Sequence, residues 1–195
     1  MYGRLLLALG YLSAPFAGPG SAVITAAGWL TYGSEARKPV YAWVGLAGLL
    51  GVAGILSGTH NPGLSSLAGA GGLLLMAYFA LSIAMVWTLG VKTGNVPLKI
   101  AASLLAASFL LAVASSSSVS DAAVAASGSV VDWSGLSWAN SAAHGLIESI
   151  GGGEALARVA AAAGAFFAAL GFLSIGVRSE GALEEQQVFG VGLTA

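Results

Sequence analysis

The chain has 195 residues, 57% of them hydrophobic and 8% charged, with seven Lys and Arg against eight Asp and Glu and a mean hydropathy of +0.87. A soluble domain carries roughly 25% charged residues, so this composition excludes an ordinary water-soluble fold and defines a membrane protein. There is no cysteine, which excludes a disulfide, a cysteine-ligated cluster, a thiol nucleophile and covalent haem attachment.

The charges are segregated. None falls in Leu5 to Ser34, Pro39 to Val91, Ile100 to Ser120 or Val159 to Val177, and about 20 apolar residues suffice for a helix to cross the hydrocarbon core. The first predicted span is Arg4 to Tyr32. Its centre, APFAGPG, holds Pro15 and Pro19, each of which removes a backbone donor and clashes with the preceding turn. We read it as one kinked crossing, with a broken, partly re-entrant helix as the alternative and a signal peptide beginning at Arg4 as a further one. A basic loop with Arg37 and Lys38 follows.

The second predicted span is Val40 to Ser57. Its segment GLAGLLGVAG repeats glycine at Gly45, Gly48, Gly51 and Gly54. In lipid no hydrophobic force draws helices together, so small residues that permit close backbone approach do that work. These four glycines, with Gly164 and Gly171 in the last span, are the expected helix-packing positions. GTHNPG, from Gly58 to Gly63, reads as a turn. The third span is Leu64 to Val91, and Lys92 and Lys99 flank the loop to the fourth, Pro97 to Ser118.

The next segment opens with SSSSVSDAAVAASGS, small and polar, and then becomes periodic. Trp133, Leu136, Asn140, Ala143, Ile147 and Ile150 recur at helical spacing, with Ser137, Ser141, His144 and Glu148 opposite. This pattern predicts a helix lying on the outer membrane surface, with Trp133, Leu136, Trp138 and Ile147 as its partner-docking residues. The fifth span is Ala155 to Val177, followed by a polar tail.

Lys and Arg are retained on the cytoplasmic side. Arg37, Lys38, Lys92, Lys99 and Arg178 would then share that side, which predicts an external N terminus and a cytoplasmic C terminus. Arg4 dissents, and Arg158 would snorkel to the outer interface. The expected fold is an all-α polytopic membrane bundle of about five transmembrane helices plus an external interfacial helix. It divides into a four-span membrane region (1–114), the external segment (115–153), a fifth transmembrane helix (154–177) and a cytoplasmic tail (178–195).

YLSAPFAGPGSAVITAAGWLTYG, a short basic loop and then YAWVGLAGLLGVAGIL together resemble a family of small archaeal multi-span membrane proteins of unknown function. GVKTGNVPLKIAASLLAASFLLAVA is similar to segments of that family as well. The resemblance covers the four central spans and implies no catalytic residue. The acidic external segment departs from it and points to a specialised partner.

No Asp, Glu, Lys, Arg or His occupies the centre of a predicted span, whereas an ion-coupled transporter or proton pump usually carries one. The glycine-rich stretches lack the Lys and Ser or Thr of a phosphate loop. His60 and His144 are the remaining candidates for a metal or haem, without a third ligand at a recognisable spacing. The leading expectation is a non-catalytic accessory subunit of a larger membrane complex, such as a respiratory electron-transfer assembly. It would have no cofactor, and its partners would be lipid, other integral-membrane subunits and an external protein, not nucleic acid. One alternative is a small transporter or channel lined by the broken first span, for which Ser13, Ser21, Thr25 and Ser82 are the scant polar material. A quinone- or haem-binding anchor is the other.

Overall fold

A computed structural model of the chain describes residues 2–17, 19–60, 65–115 and 153–190. Among them are six helices: α1 Tyr2–Ala17, α2 Pro19–Glu35, α3 Pro39–His60, α4 Ser65–Lys92, α5 Val96–Ser115 and α6 Gly153–Gly190. Helices are what a chain must form in hydrocarbon, where no water satisfies backbone N–H and C=O groups. Four stretches are long and apolar enough to cross a membrane: Pro39–Gly58, Gly69–Lys92, Val96–Ala114 and Leu156–Ile175. They lie where the second to fifth spans were expected. The GTHNPG turn differs, because Gly58, Thr59 and His60 belong to the last turn of α3. The helix ends two residues before Pro62, and a residue preceding proline disfavours the helical conformation.

Of the two readings of the first span, the broken helix and not the single kinked one matches the structure: α1 and α2 are separate helices packed antiparallel on each other. A methyl at Gly3 would collide with the Tyr32 backbone, one at Gly10 would lie 2.7 Å from the Thr25 nitrogen, and one at Gly28 would lie 2.8 Å from the Leu7 nitrogen. These three glycines let the two backbones touch. Pro19 opens α2, a position whose N–H has no helical partner in any case. Each arm, at 16 and 17 residues, measures about 25 Å, short of the roughly 30 Å core.

The fold-back also changes which ends meet. The Gly3 nitrogen donates to the Glu35 carboxylate at 3.2 and 3.3 Å, an acidic cap on the N-terminal end of α1. The start of α1, the 36–38 turn, the α4–α5 turn and the Ser174 region of α6 therefore share one end of the bundle. A single first crossing would have put the start of α1 at the other end of the bundle. Arg4, near the start of α1, lies at the same end as Arg37, Lys38, Lys92 and Lys99. Trp43 and Trp87, both exposed near this end, occupy the level where interfacial aromatics gather.

Each helix packs on the next in sequence, and α6 closes the ring on α1. At the basic end two turns are built alike. Asn95 N donates to Gly90 O at 2.9 Å, with Gly94 at φ 64°, and Lys38 N donates to Gly33 O at 3.0 Å, with Arg37 at φ 52°. Both are Schellman closures with a left-handed residue after the helix. Asn95 also ties α5 to α6. Its Oδ1 accepts from Leu98 N at 3.2 Å, and its Nδ2 donates to Gly171 O at 3.1 Å and to Ser174 Oγ at 2.7 Å.

Candidate functional site

Inside the ring, α1, α2, α4, α5 and α6 surround a cavity of about 40 Å³. Five of its lining residues carry hydroxyls: Tyr11, Ser21, Thr25, Tyr78 and Ser82. All are buried. The Tyr78 hydroxyl donates to Thr25 Oγ1 at 2.7 Å, and Thr25 in turn donates to the Ser21 carbonyl at 2.9 Å. Ser82, one turn along α4, lies close to the Tyr78 hydroxyl, and Tyr11 lies close to Trp29. Neither pair reaches hydrogen-bonding geometry, so the Tyr11 hydroxyl, Trp29 Nε1 and Ser82 Oγ are buried without a partner.

Why polar groups collect here follows from the hairpin. Pro15 lies inside α1, and its missing N–H withdraws the donor that the Tyr11 carbonyl would meet in a continuous helix. Interrupted helices at membrane depth are tolerated where they are buried in protein or line a cavity. Beyond Tyr11, towards the basic end, aromatic rings pack together. Tyr11 stacks on Phe172 at 5.8 Å, Trp29 packs edge-on to Phe172 at 5.8 Å and stacks on Tyr41 at 5.7 Å, and Tyr32 packs edge-on to Tyr41 at 5.2 Å.

The residues singled out in the sequence fall elsewhere. Gly45 faces the Ala26 carbonyl and Leu30 of α2, and a methyl at Gly48 would lie 2.8 Å from the Tyr78 ring. Methyls at Gly51 and Gly54 would lie 2.8 Å from Leu75 N and 2.9 Å from the Gly71 Cα of α4, while Gly164 and Gly171 face Leu105 and Leu98 of α5. These glycine faces are thus occupied within the chain's own bundle and do not form an open docking surface. Trp133, Leu136, Trp138, His144 and Ile147 lie outside the described residues. His60 closes α3, and among the described residues no three His, Cys, Asp or Glu side chains cluster to hold a metal.

Of the four polar residues noted for a pathway, Ser21, Thr25 and Ser82 converge on the cavity, and Ser13 bonds back to Gly10 O at 2.9 Å. The reading of the sequence missed Tyr11 and Tyr78. Their signal was available: tyrosines in membrane proteins gather at the interfaces, and these two stand mid-helix.

Compared with protein-family models, curated proteins and solved structures, the chain has no match.

Proposed function

We propose that the chain is a small transporter or channel that takes a solute into its intramembrane cavity, with the N-terminal hairpin lining the route. One observation carries this reading. The N-terminal apolar stretch is two helices and not one, and interrupted helices at membrane depth are tolerated where they line a cavity. Here α1 and α2, with α4, α5 and α6, surround a cavity of about 40 Å³ whose lining includes Tyr11, Ser21, Thr25, Tyr78 and Ser82. The positive-inside rule supports an orientation in which the end bearing Arg4, Arg37, Lys38, Lys92 and Lys99 is cytoplasmic, so the N-terminal end of α1 faces inward too.

The test is reconstitution of the full-length chain in sealed liposomes, with stopped-flow light scattering on water, urea and glycerol gradients and a dye readout for K⁺ and Cl⁻. Permeation of at least one of these above protein-free vesicles is expected. Rates equal to empty vesicles for every member of the panel would overturn the reading.

A further inference from the structure

We infer that an anionic phospholipid seats in the seam between α4 and α5, with its phosphate held by Lys92 and Lys99 and one acyl chain running along the outer wall of the cavity to Phe109. This goes beyond the transport reading and does not rest on it.

The seam is tight at its basic end. A methyl at Gly90 of α4 would lie 3.0 Å from the Lys99 nitrogen and 3.1 Å from the Lys99 Cγ, so the two backbones meet there. Further along, Phe79 and Ile83 of α4 line the cavity together with Leu105 and Phe109 of α5. These four side chains are half-buried, whereas the lining residues from α1, α2 and α6 are all buried. Both helices are long and apolar enough to cross a membrane, so what surrounds them at that depth is hydrocarbon. A single layer of apolar side chains therefore separates the cavity from the bilayer along this seam.

The length of the seam matches an acyl chain. Phe109 lies ten residues after Lys99, about 15 Å along a helix, and half of a hydrocarbon core of roughly 30 Å is the same distance. A lipid whose phosphate meets Lys99 ends its chain beside Phe109, over the thin wall. Trp87, 48% exposed on α4, stands at the level where aromatic rings meet headgroups.

Charge selects the headgroup. The connection from Lys92 to Lys99, KTGNVPLK, carries two lysines and no acid. Lys92 is exposed in the last turn of α4, and Lys99 is half-buried in the first turn of α5. Long apolar stems let both ammonium groups snorkel to the phosphate level, and basic pockets between membrane helices bind acidic lipid headgroups. Glu35, at the same end of the bundle, is already engaged with the Gly3 nitrogen.

The experiment titrates the purified full-length chain in detergent with dioleoyl phosphatidylglycerol or dioleoyl phosphatidylcholine and reads bound lipid by native mass spectrometry. Phosphatidylglycerol should bind at least tenfold more tightly. Lys92→Gln with Lys99→Gln should weaken it roughly thirtyfold, about fivefold for each lysine. Arg37→Gln with Lys38→Gln removes the same charge from the same end but away from the seam, and should change binding less than threefold. Dihexanoyl phosphatidylglycerol, whose chains are too short to reach Phe109, and inorganic phosphate should displace the long-chain lipid poorly. If the Lys92 and Lys99 double variant is lost in purification, Lys99→Gln alone must weaken phosphatidylglycerol about fivefold. Equal binding of the two lipids, or equal losses in the two double variants, would overturn the site. Ready displacement by the short-chain lipid or by phosphate would reveal an anion site without an acyl seat, and the inference would fall on that result too. None of these readouts involves permeation, so its failure leaves the transport reading standing.

Discussion

Residues 2–35 and residues 65–92 both run longer than a bilayer core requires and both are rich in Leu, Ala and Gly, yet the second stretch is one helix of 28 residues and the first is a hairpin. Glycine does not distinguish them, since α4 carries Gly69, Gly71, Gly72 and Gly90. Glycine weakens a helix by about 1 kcal/mol in water but keeps its N–H. Proline does not keep it, and Pro15 and Pro19 are four residues apart. In a continuous helix they would leave the Tyr11 and Pro15 carbonyls unpaired on successive turns, at several kcal/mol each in hydrocarbon. Folding back makes Pro19 the first residue of a new helix, where no N–H is needed. The comparison teaches that spacing of proline, more than hydropathy or glycine content, decides whether an overlong apolar stretch crosses once or turns.

The most decisive way to break this comparison is all-or-none. The chain lacks cysteine, so Tyr2→Cys and Lys38→Cys give single labels on the unaltered background. An impermeant maleimide applied to sealed, oriented vesicles should react with both from the same side. Labelling from opposite sides would restore a single kinked crossing.

A second measurement sharpens the contrast between the glycines of the two regions. Gly10→Leu places a side chain into the Thr25 backbone and should lower stability by about 3 kcal/mol, towards the upper end for overpacking. Gly69→Leu on α4, with nothing within 4 Å of its missing Cβ, should change stability by less than about 0.5 kcal/mol. Equal losses in detergent-based unfolding would show that the hairpin arms are not closely packed.

The smallest effect concerns the two turns at the basic end. Arg37 occupies a left-handed position that Gly94 occupies in the other turn, and an L-residue there costs roughly 1–2 kcal/mol, part of which glycine returns as chain entropy. Arg37→Gly should raise stability by about 0.5 kcal/mol. A loss of stability would show that the Arg37 side chain makes contacts worth more than the strain.

The glycine faces show how far reading the chain alone could go. Their role as close-approach surfaces followed from residue type, because only small residues let helices touch in lipid. Whether they met a neighbour in the same chain or another subunit depended on the arrangement of helices around the ring. The same limit applied to the hydroxyls. Ser21, Thr25 and Ser82 were visible as polar points in apolar text, but Thr25 and Tyr78 are 53 residues apart and meet through a direct bond.

Sequence by itself determined the membrane class, the positions of four spans and the segregation of basic residues. Each of these reflects how individual residues partition between water and hydrocarbon, a property summed along a window. Tertiary structure alone decided that α1 and α2 pack back on each other, that the start of α1 joins the basic end, and that Tyr11 and Ser82 line one cavity with Tyr78 and Thr25. The physical reason is that these helices are apolar on every side. In water the polar face of an amphipathic helix declares which way it points, whereas in lipid the inward and outward faces are equally greasy, and orientation is settled only when backbones close on glycines and hydroxyls find, or fail to find, each other.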